Sequence, residues 1–170
     1  MRAKSVMPTF DEMVSMAPKE IQDLIEQACS IQQSLKWHPE GDVCEHSKIV
    51  YNRARVANDI NFLVTAIFHD LGKIKVTKPS ISTPGSWSAH GHEYVSTKLV
   101  EKYKDWIEEQ GANFELVHYL VKNHMRIKQF HEMRKFKQDR FREDKYFKEL
   151  QYFTSFDNML SKDFDDVNNK

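Results

Sequence analysis

The chain has 170 residues and a mass of 20.1 kDa, the length of one domain at about 150 residues per domain. Hydrophobic residues make up 40% and aromatic residues 12%, which excludes a disordered chain, and five Gly and five Pro exclude collagen-like and low-complexity classes. Lys and Arg number 25 and Asp and Glu 25, so the net charge is zero; a uniformly basic nucleic-acid coat is excluded, but a local basic face is not.

Residues 1–17 are Met-rich and without a clear period, and are expected to be an N-terminal extension. Pro18 suits the first turn of a helix. Ile21, Leu24, Ile25, Ala28 and Ile31 then form one helical stripe, which Trp37-His-Pro-Glu-Gly41 breaks. A second helix is expected over 43–57 and a third over 59–70, with Gly72 placed to end it. Residues 73–88 hold Pro79, Pro84, Gly85 and several Ser and Thr, and predict a long loop. A fourth helix follows over 89–106 and a fifth over 114–125, then a polar, basic stretch, then a last helix over 144–161. Strand-type alternation is missing. The expectation is an all-α bundle of about six main helices spanning 18–162, followed by an acidic, frayed tail over 163–170.

The start of the chain has no apolar core of signal-peptide length. The most apolar run, 62–68, is far short of the roughly 20 residues that span a bilayer. A cytoplasmic protein with reduced thiols and no membrane contact is expected. Two cysteines, Cys29 and Cys44, cannot build a disulfide framework or a four-thiolate zinc site. Eight histidines beside them direct any metal chemistry to nitrogen and oxygen ligands.

Polar residues stand where apolar ones belong. His46 sits inside the stripe Val43, Val50, Ala54, Ala57. His69 continues Phe62 and Ala66, and Asp70 continues Leu63 and Ile67. His92 heads Val95, Leu99, Tyr103 and Trp106; His124 ends Val117, Leu120 and Val121; Asp157 lies among Leu150, Phe153, Thr154 and Leu160. A single histidine on an apolar stripe is ordinarily a hydrogen-bonded core residue. Five helices that each aim a His or Asp inward strain that explanation, because a buried carboxylate needs a partner. A divalent cation satisfies four imidazoles and two carboxylates together, and a nitrogen-and-oxygen set suits Mn, Fe, Co, Ni, Zn or Mg.

The spacing resembles a known family. A His, a His-Asp doublet 23 residues later and a distant Asp resemble the HD superfamily of metal-dependent phosphohydrolases. His38-Pro-Glu-Gly-Asp-Val-Cys-Glu-His46, Phe68-His-Asp-Leu-Gly-Lys73, Gly91-His-Glu93 and Asn123-His-Met-Arg126 look like the HD domain of bacterial CCA-adding tRNA nucleotidyltransferases. Glu132-Met-Arg134, Lys137, Arg140, Phe141 and Asp157 continue the likeness. The 35 residues upstream cannot hold a nucleotidyltransferase domain, so CCA addition is not implied. The resemblance implies His46, His69, Asp70 and Asp157 as metal ligands. It implies His92 and His124 at a second metal bridged by Asp70, and Lys73 at the substrate phosphate. Arg126 joins Lys73 in neutralising phosphoryl charge, with Lys137 and Arg140 on the substrate. His90 offers a further imidazole.

Residues 122–148 hold ten Lys or Arg against four acids, interleaved with Phe130, Phe136, Phe141, Tyr146 and Phe147. Such a mixture holds a nucleic-acid backbone and stacks bases, or is a solvated face whose aromatics pack inward. Trp37 and Trp87 flank site loops and are placed to stack a base or to pack. The function expected is a hydrolase using one or two divalent cations on nucleotides or RNA ends, including 2′,3′-cyclic phosphates, with RNA contact through 122–148. The alternatives are a nucleoside mono- or triphosphate hydrolase of nucleotide-pool control, and a non-catalytic RNA-binding module with a structural metal.

Overall fold

In a computed structural model, which describes residues 7–36 and 38–158, the helices start where side chains can accept from free backbone amides. Thr9 and Glu12 form a reciprocal capping box at the head of α1 (Phe10–Met16). α2 (Lys19–Ala28) opens after Pro18. Asp42 accepts from the Glu45 amide at 2.8 Å to open α3 (Val43–Ala54), and Asp59 accepts from the Asn61 amide at 2.9 Å to open α4 (Ile60–Phe68). Seven consecutive residues of α4, Phe62 to Phe68, are buried, as expected of a helix that is apolar all round. α4 is the central helix, with α3, α6 (His92–Lys102) and α8 (Phe114–Asn123) packed on it. α10 (Phe147–Asn158) closes the bundle against α3 and α8.

The all-α expectation holds, with several changes of detail. Phe10 and Met13 of α1 enter the core, although the sequence there shows no clear period. The helix expected over 43–57 ends as α3 plus a 3₁₀ turn, Arg55–Ala57, stopped by left-handed Asn58. The loop expected over 73–88 holds α5 (Lys73–Val76) and a two-stranded antiparallel ribbon, β1 (Lys78–Pro79) with β2 (Trp87–Ser88). The helix expected over 89–106 divides at Tyr103 into α6 and α7 (Lys104–Glu109). The basic stretch folds as a 3₁₀ segment, Arg126–Glu132, and α9 (Lys135–Arg142). No helix among the described residues is long and apolar enough to cross a membrane. Residues 159–162, the tail 163–170 and Trp37 lie outside the described residues.

The expectation of reduced thiols is corrected. Cys29, the C-cap of α2, and Cys44, in the first turn of α3, are joined as a disulfide, with Cα atoms 4.5 Å apart. The chain between them turns back on itself, the Val43 amide donating to the Ile31 carbonyl at 3.1 Å, and this brings the two helix ends together. The closed loop carries Gln33, His38 and Glu40.

Gly72 also differs from expectation. Its backbone is right-handed, φ −60°, so it is no left-handed helix stop. Close approach is what demands glycine here. A Cβ at this position would overlap the His92 carbonyl and stand 2.8 Å from the Ser96 amide of α6, while the Gly72 amide donates to Ser96 Oγ at 2.8 Å. Gly72→Ala is therefore expected to push α5 from α6 and to cost about 1–3 kcal/mol in urea unfolding, as for other overpacked sites. An unchanged midpoint would show that this contact yields freely.

Candidate metal centre

The six inward-facing His and Asp side chains converge on the middle of the bundle, and all are buried. His46 comes from the start of α3. His69 caps the C-terminus of α4 and Asp70 follows it at the corner into α5. His92 opens α6, directly after left-handed Gly91 (φ 82°), a conformation that glycine adopts without Cβ strain. His124 caps the end of α8, and Asp157 lies in the last turn of α10.

The four imidazoles are oriented alike. Nδ1 of His69, His92 and His124 lies 2.8, 2.9 and 2.6 Å from the carbonyl oxygen three residues earlier, of Ala66, Ala89 and Val121. A ring nitrogen facing a carbonyl carries the proton, so Nδ1–H donates and Nε2 is turned toward the cluster. His46 shows the same arrangement with a different acceptor: its Nδ1 pairs closely with the Glu40 carboxylate.

Asp70 divides the cluster in two. Its Oδ2 lies 3.4 Å from His46 Nε2 and 3.3 Å from His69 Nε2; its Oδ1 lies 3.1 Å from His92 Nε2 and 3.4 Å from His124 Nε2. Asp157 Oδ1 completes the first half, 2.9 Å from His46 Nε2 and 3.4 Å from His69 Nε2. One donor atom from each of His46, His69, Asp70 and Asp157 falls within 4.8 Å of the others, and so does one from each of Asp70, His92 and His124. His69 Nε2 is buried without a hydrogen-bond partner, a vacancy in bonding that a Lewis acid fills. The donors are nitrogen and oxygen only, and the cluster could hold a divalent metal ion.

Charge in the cluster is polarised. Burial alone would raise the carboxyl of Asp70, but the His69 and Lys73 charges hold it well below the usual carboxylate range. Asp157 is likewise held low against its burial, by the Lys128 and His69 charges and by its hydrogen bond with His46. His124 is lowered to about 4, chiefly by burial, so its ring is neutral. Burial works the same way on His46, yet its bonds to Asp157 and Glu40 prevail and raise it to about 9.

Two ammonium groups flank the carboxylates. Lys73, buried on α5, places Nζ 3.1 Å from Asp70 Oδ2 and donates to Gln33 Oε1 at 2.6 Å. Lys128, in the 3₁₀ segment, places Nζ 3.1 Å from Asp157 Oδ2. Sequence reasoning missed Lys128, Gln33 and Glu40, all outside regular α-helix; the only signal was Glu40 in the Pro-Glu-Gly break. The structure does not bring Arg126 to the carboxylates: its guanidinium lies 4.1 Å over the Phe141 ring. Lys137 and Arg140 are exposed on α9. His90 is exposed, and so is Trp87 on β2. Of the interleaved aromatics, Phe141 and Phe147 are buried, Phe130 and Tyr146 half-buried, and Phe136 exposed. Phe130, Phe141 and Phe147 pack on one another, the inward-packing arrangement of a solvated face.

Fold and cluster together define an all-α protein built around a buried His/Asp centre. The chain belongs to the HD-domain family, whose model matches residues 43–156, and membership suggests a metal-dependent phosphohydrolase. Five of the six cluster residues lie inside that match and Asp157 one residue beyond it. The chain is 38% identical over 73 residues to a multifunctional CCA protein of Herminiimonas arsenicoxydans, covering 42% of this chain and 16% of that protein. It is 38% identical over 82 residues to one from Thioalkalivibrio sulfidiphilus (strain HL-EbGR7), covering 48% of this chain and 19% of that protein. The matches thus span less than a fifth of those relatives' lengths. No solved structure matches.

Proposed function

We propose that this chain is a metal-dependent phosphohydrolase acting on nucleotides or RNA ends, including 2′,3′-cyclic phosphates. His46, His69, Asp70 and Asp157 hold one divalent cation; Asp70, His92 and His124 hold a second. The observation that carries this reading is the placement of the two Asp70 oxygens, each facing a different pair of Nε2 atoms. A cation bound there activates water and neutralises charge on phosphoryl oxygens. The protein's own groups then have clear tasks. Nδ1–H donation fixes each imidazole with its Nε2 lone pair forward. Lys73, beside Asp70, and Lys128, beside Asp157, supply positive charge to offset the negative charge that grows on the phosphoryl group in the transition state. Water's oxygen bonds to phosphorus as the ester P–O bond breaks; one water proton goes to the leaving oxygen and the other to solvent. A diester thereby yields a phosphomonoester and an alcohol, with no covalent protein intermediate. The similarity to two multifunctional CCA proteins, with the resemblance of the motifs to the HD domain of CCA-adding tRNA nucleotidyltransferases, supports an RNA-linked substrate.

Elemental analysis of the purified protein should find about one to two equivalents of divalent metal, as one- and two-metal sites require. With Mn, Ni, Co or Mg added, bis-p-nitrophenyl phosphate and adenosine 2′,3′-cyclic phosphate should be hydrolysed, and a chelator should stop the reaction. Turnover of monophosphates or triphosphates alone would move the assignment to nucleotide-pool hydrolysis. Metal uptake without turnover of any phosphate ester would leave a structural metal in a binding module.

A further inference from the structure

Beside the cluster runs a groove of ≈ 620 Å³, within the usual size range of small-molecule sites. Lys128 stands at the junction: it lines the groove, and its ammonium reaches Asp157 Oδ2 at 3.1 Å. Further along the groove lie Phe130, His131, Arg142, Gln151 and Thr154. None of its lining residues among those described is acidic, so the walls repel no phosphate and attract it through Lys128 and Arg142. The Arg142 guanidinium lies 4.9 Å over the Phe130 ring and is tied to Asp139 at 3.1 Å, so a planar cation is held on an aromatic face. Such a plane is a stacking platform for a heterocyclic base. The Gln151 amide and the Thr154 hydroxyl supply donors and acceptors for the edge of a base or for ribose hydroxyls.

We propose that this groove binds the nucleoside arm of a nucleotide whose phosphate lies at the His/Asp cluster, with Lys128 on the phosphate and Arg142 stacked on the base. The proposal rests on the function proposed above and names the part of the substrate that the cluster alone does not select. It also replaces Arg126, Lys137 and Arg140 as substrate contacts, since none of the three lines the groove. A nucleoside suits the groove better than a peptide or a plain sugar because the groove combines a flat cation, cationic walls and short polar side chains.

The test is calorimetric binding of adenosine 5′-monophosphate and of inorganic phosphate to the full chain, with and without Mn. Wild type should prefer the nucleotide by tenfold or more. Arg142→Gln should reduce that preference about tenfold, the loss of one stacked base. Lys128→Gln should weaken both ligands together and keep their ratio. A wild-type protein that binds the nucleotide no better than phosphate, or an Arg142→Gln preference equal to wild type, overturns the groove assignment. Failure of the function itself reads differently: no metal uptake and no hydrolysis, whatever the groove does. Nucleotide binding that survives without Mn and falls in Arg142→Gln still supports the groove.

Discussion

Asp70→Ala is expected to abolish phosphate-ester hydrolysis and to strip metal from the cluster while a helical protein remains. Among the described residues, Asp70 is the side chain shared by both halves. Its Oδ2 serves His46 and His69, its Oδ1 serves His92 and His124, and Lys73 is paired to it at 3.1 Å. Alanine removes one ligand from each proposed metal position and the counter-charge of a buried ammonium at once. The second effect lowers stability, by roughly 3–5 kcal/mol where a buried partner is left uncompensated. Asp70→Asn separates the two effects: it keeps the volume and a hydrogen-bonding oxygen but discards the charge. Both variants should lose metal by elemental analysis and turnover on bis-p-nitrophenyl phosphate, and the asparagine variant should retain the wild-type circular dichroism. Wild-type turnover in either variant at excess metal would refute a mechanism centred on Asp70.

Periodicity is why this cluster could be read from the sequence. Val43, His46, Val50 and Ala54 are all buried, so a histidine at the stripe's spacing had to point inward. The same holds for His69 and Asp70 at the end of α4, which is buried from Phe62 to Phe68, and for His124 after Val117, Leu120 and Val121. Where periodicity lapses, the reading lapses. Lys128 and Arg126 are two residues apart in a 3₁₀ segment; an α-helical pattern says nothing about which reaches the cluster. Glu40 and Gln33 sit in the loop closed by Cys29 and Cys44, where tertiary contacts alone set direction. The Cys29–Cys44 pairing was equally hidden: it depends on how the chain returns from α2 to α3, not on spacing. At Tyr103 a continuous apolar pattern conceals a break in the helix.

Glu40→Gln is expected to change how many protons metal binding releases. In the metal-free protein, both ring nitrogens of His46 face carboxylates, Nδ1 toward Glu40 and Nε2 toward Asp157 at 2.9 Å. Burial opposes the charged ring, but these two partners outweigh it and raise the pKa to about 9. Protonated His46 therefore stabilises the metal-free fold fully below about pH 6.5, the unfolded value, and this contribution fades as pH rises through about 9. A cation at Nε2 must displace that proton, so binding between pH 6.5 and 9 should release about one proton and tighten as pH rises. Glutamine still accepts from Nδ1–H but carries no charge, so His46 loses its proton nearer the ordinary value and is a less basic ligand. At pH 7 the two consequences oppose each other, since less proton competition offsets weaker donation. Near pH 9 only the weaker donation remains, and metal affinity should fall 10–100-fold, the usual cost of removing such a partner. Calorimetry at pH 8 in two buffers of different ionisation enthalpy reads the proton directly: Glu40→Gln should release less of it than wild type, the remainder being held by Asp157. Equal proton release by both proteins would mean that Glu40 does not set the charge of His46.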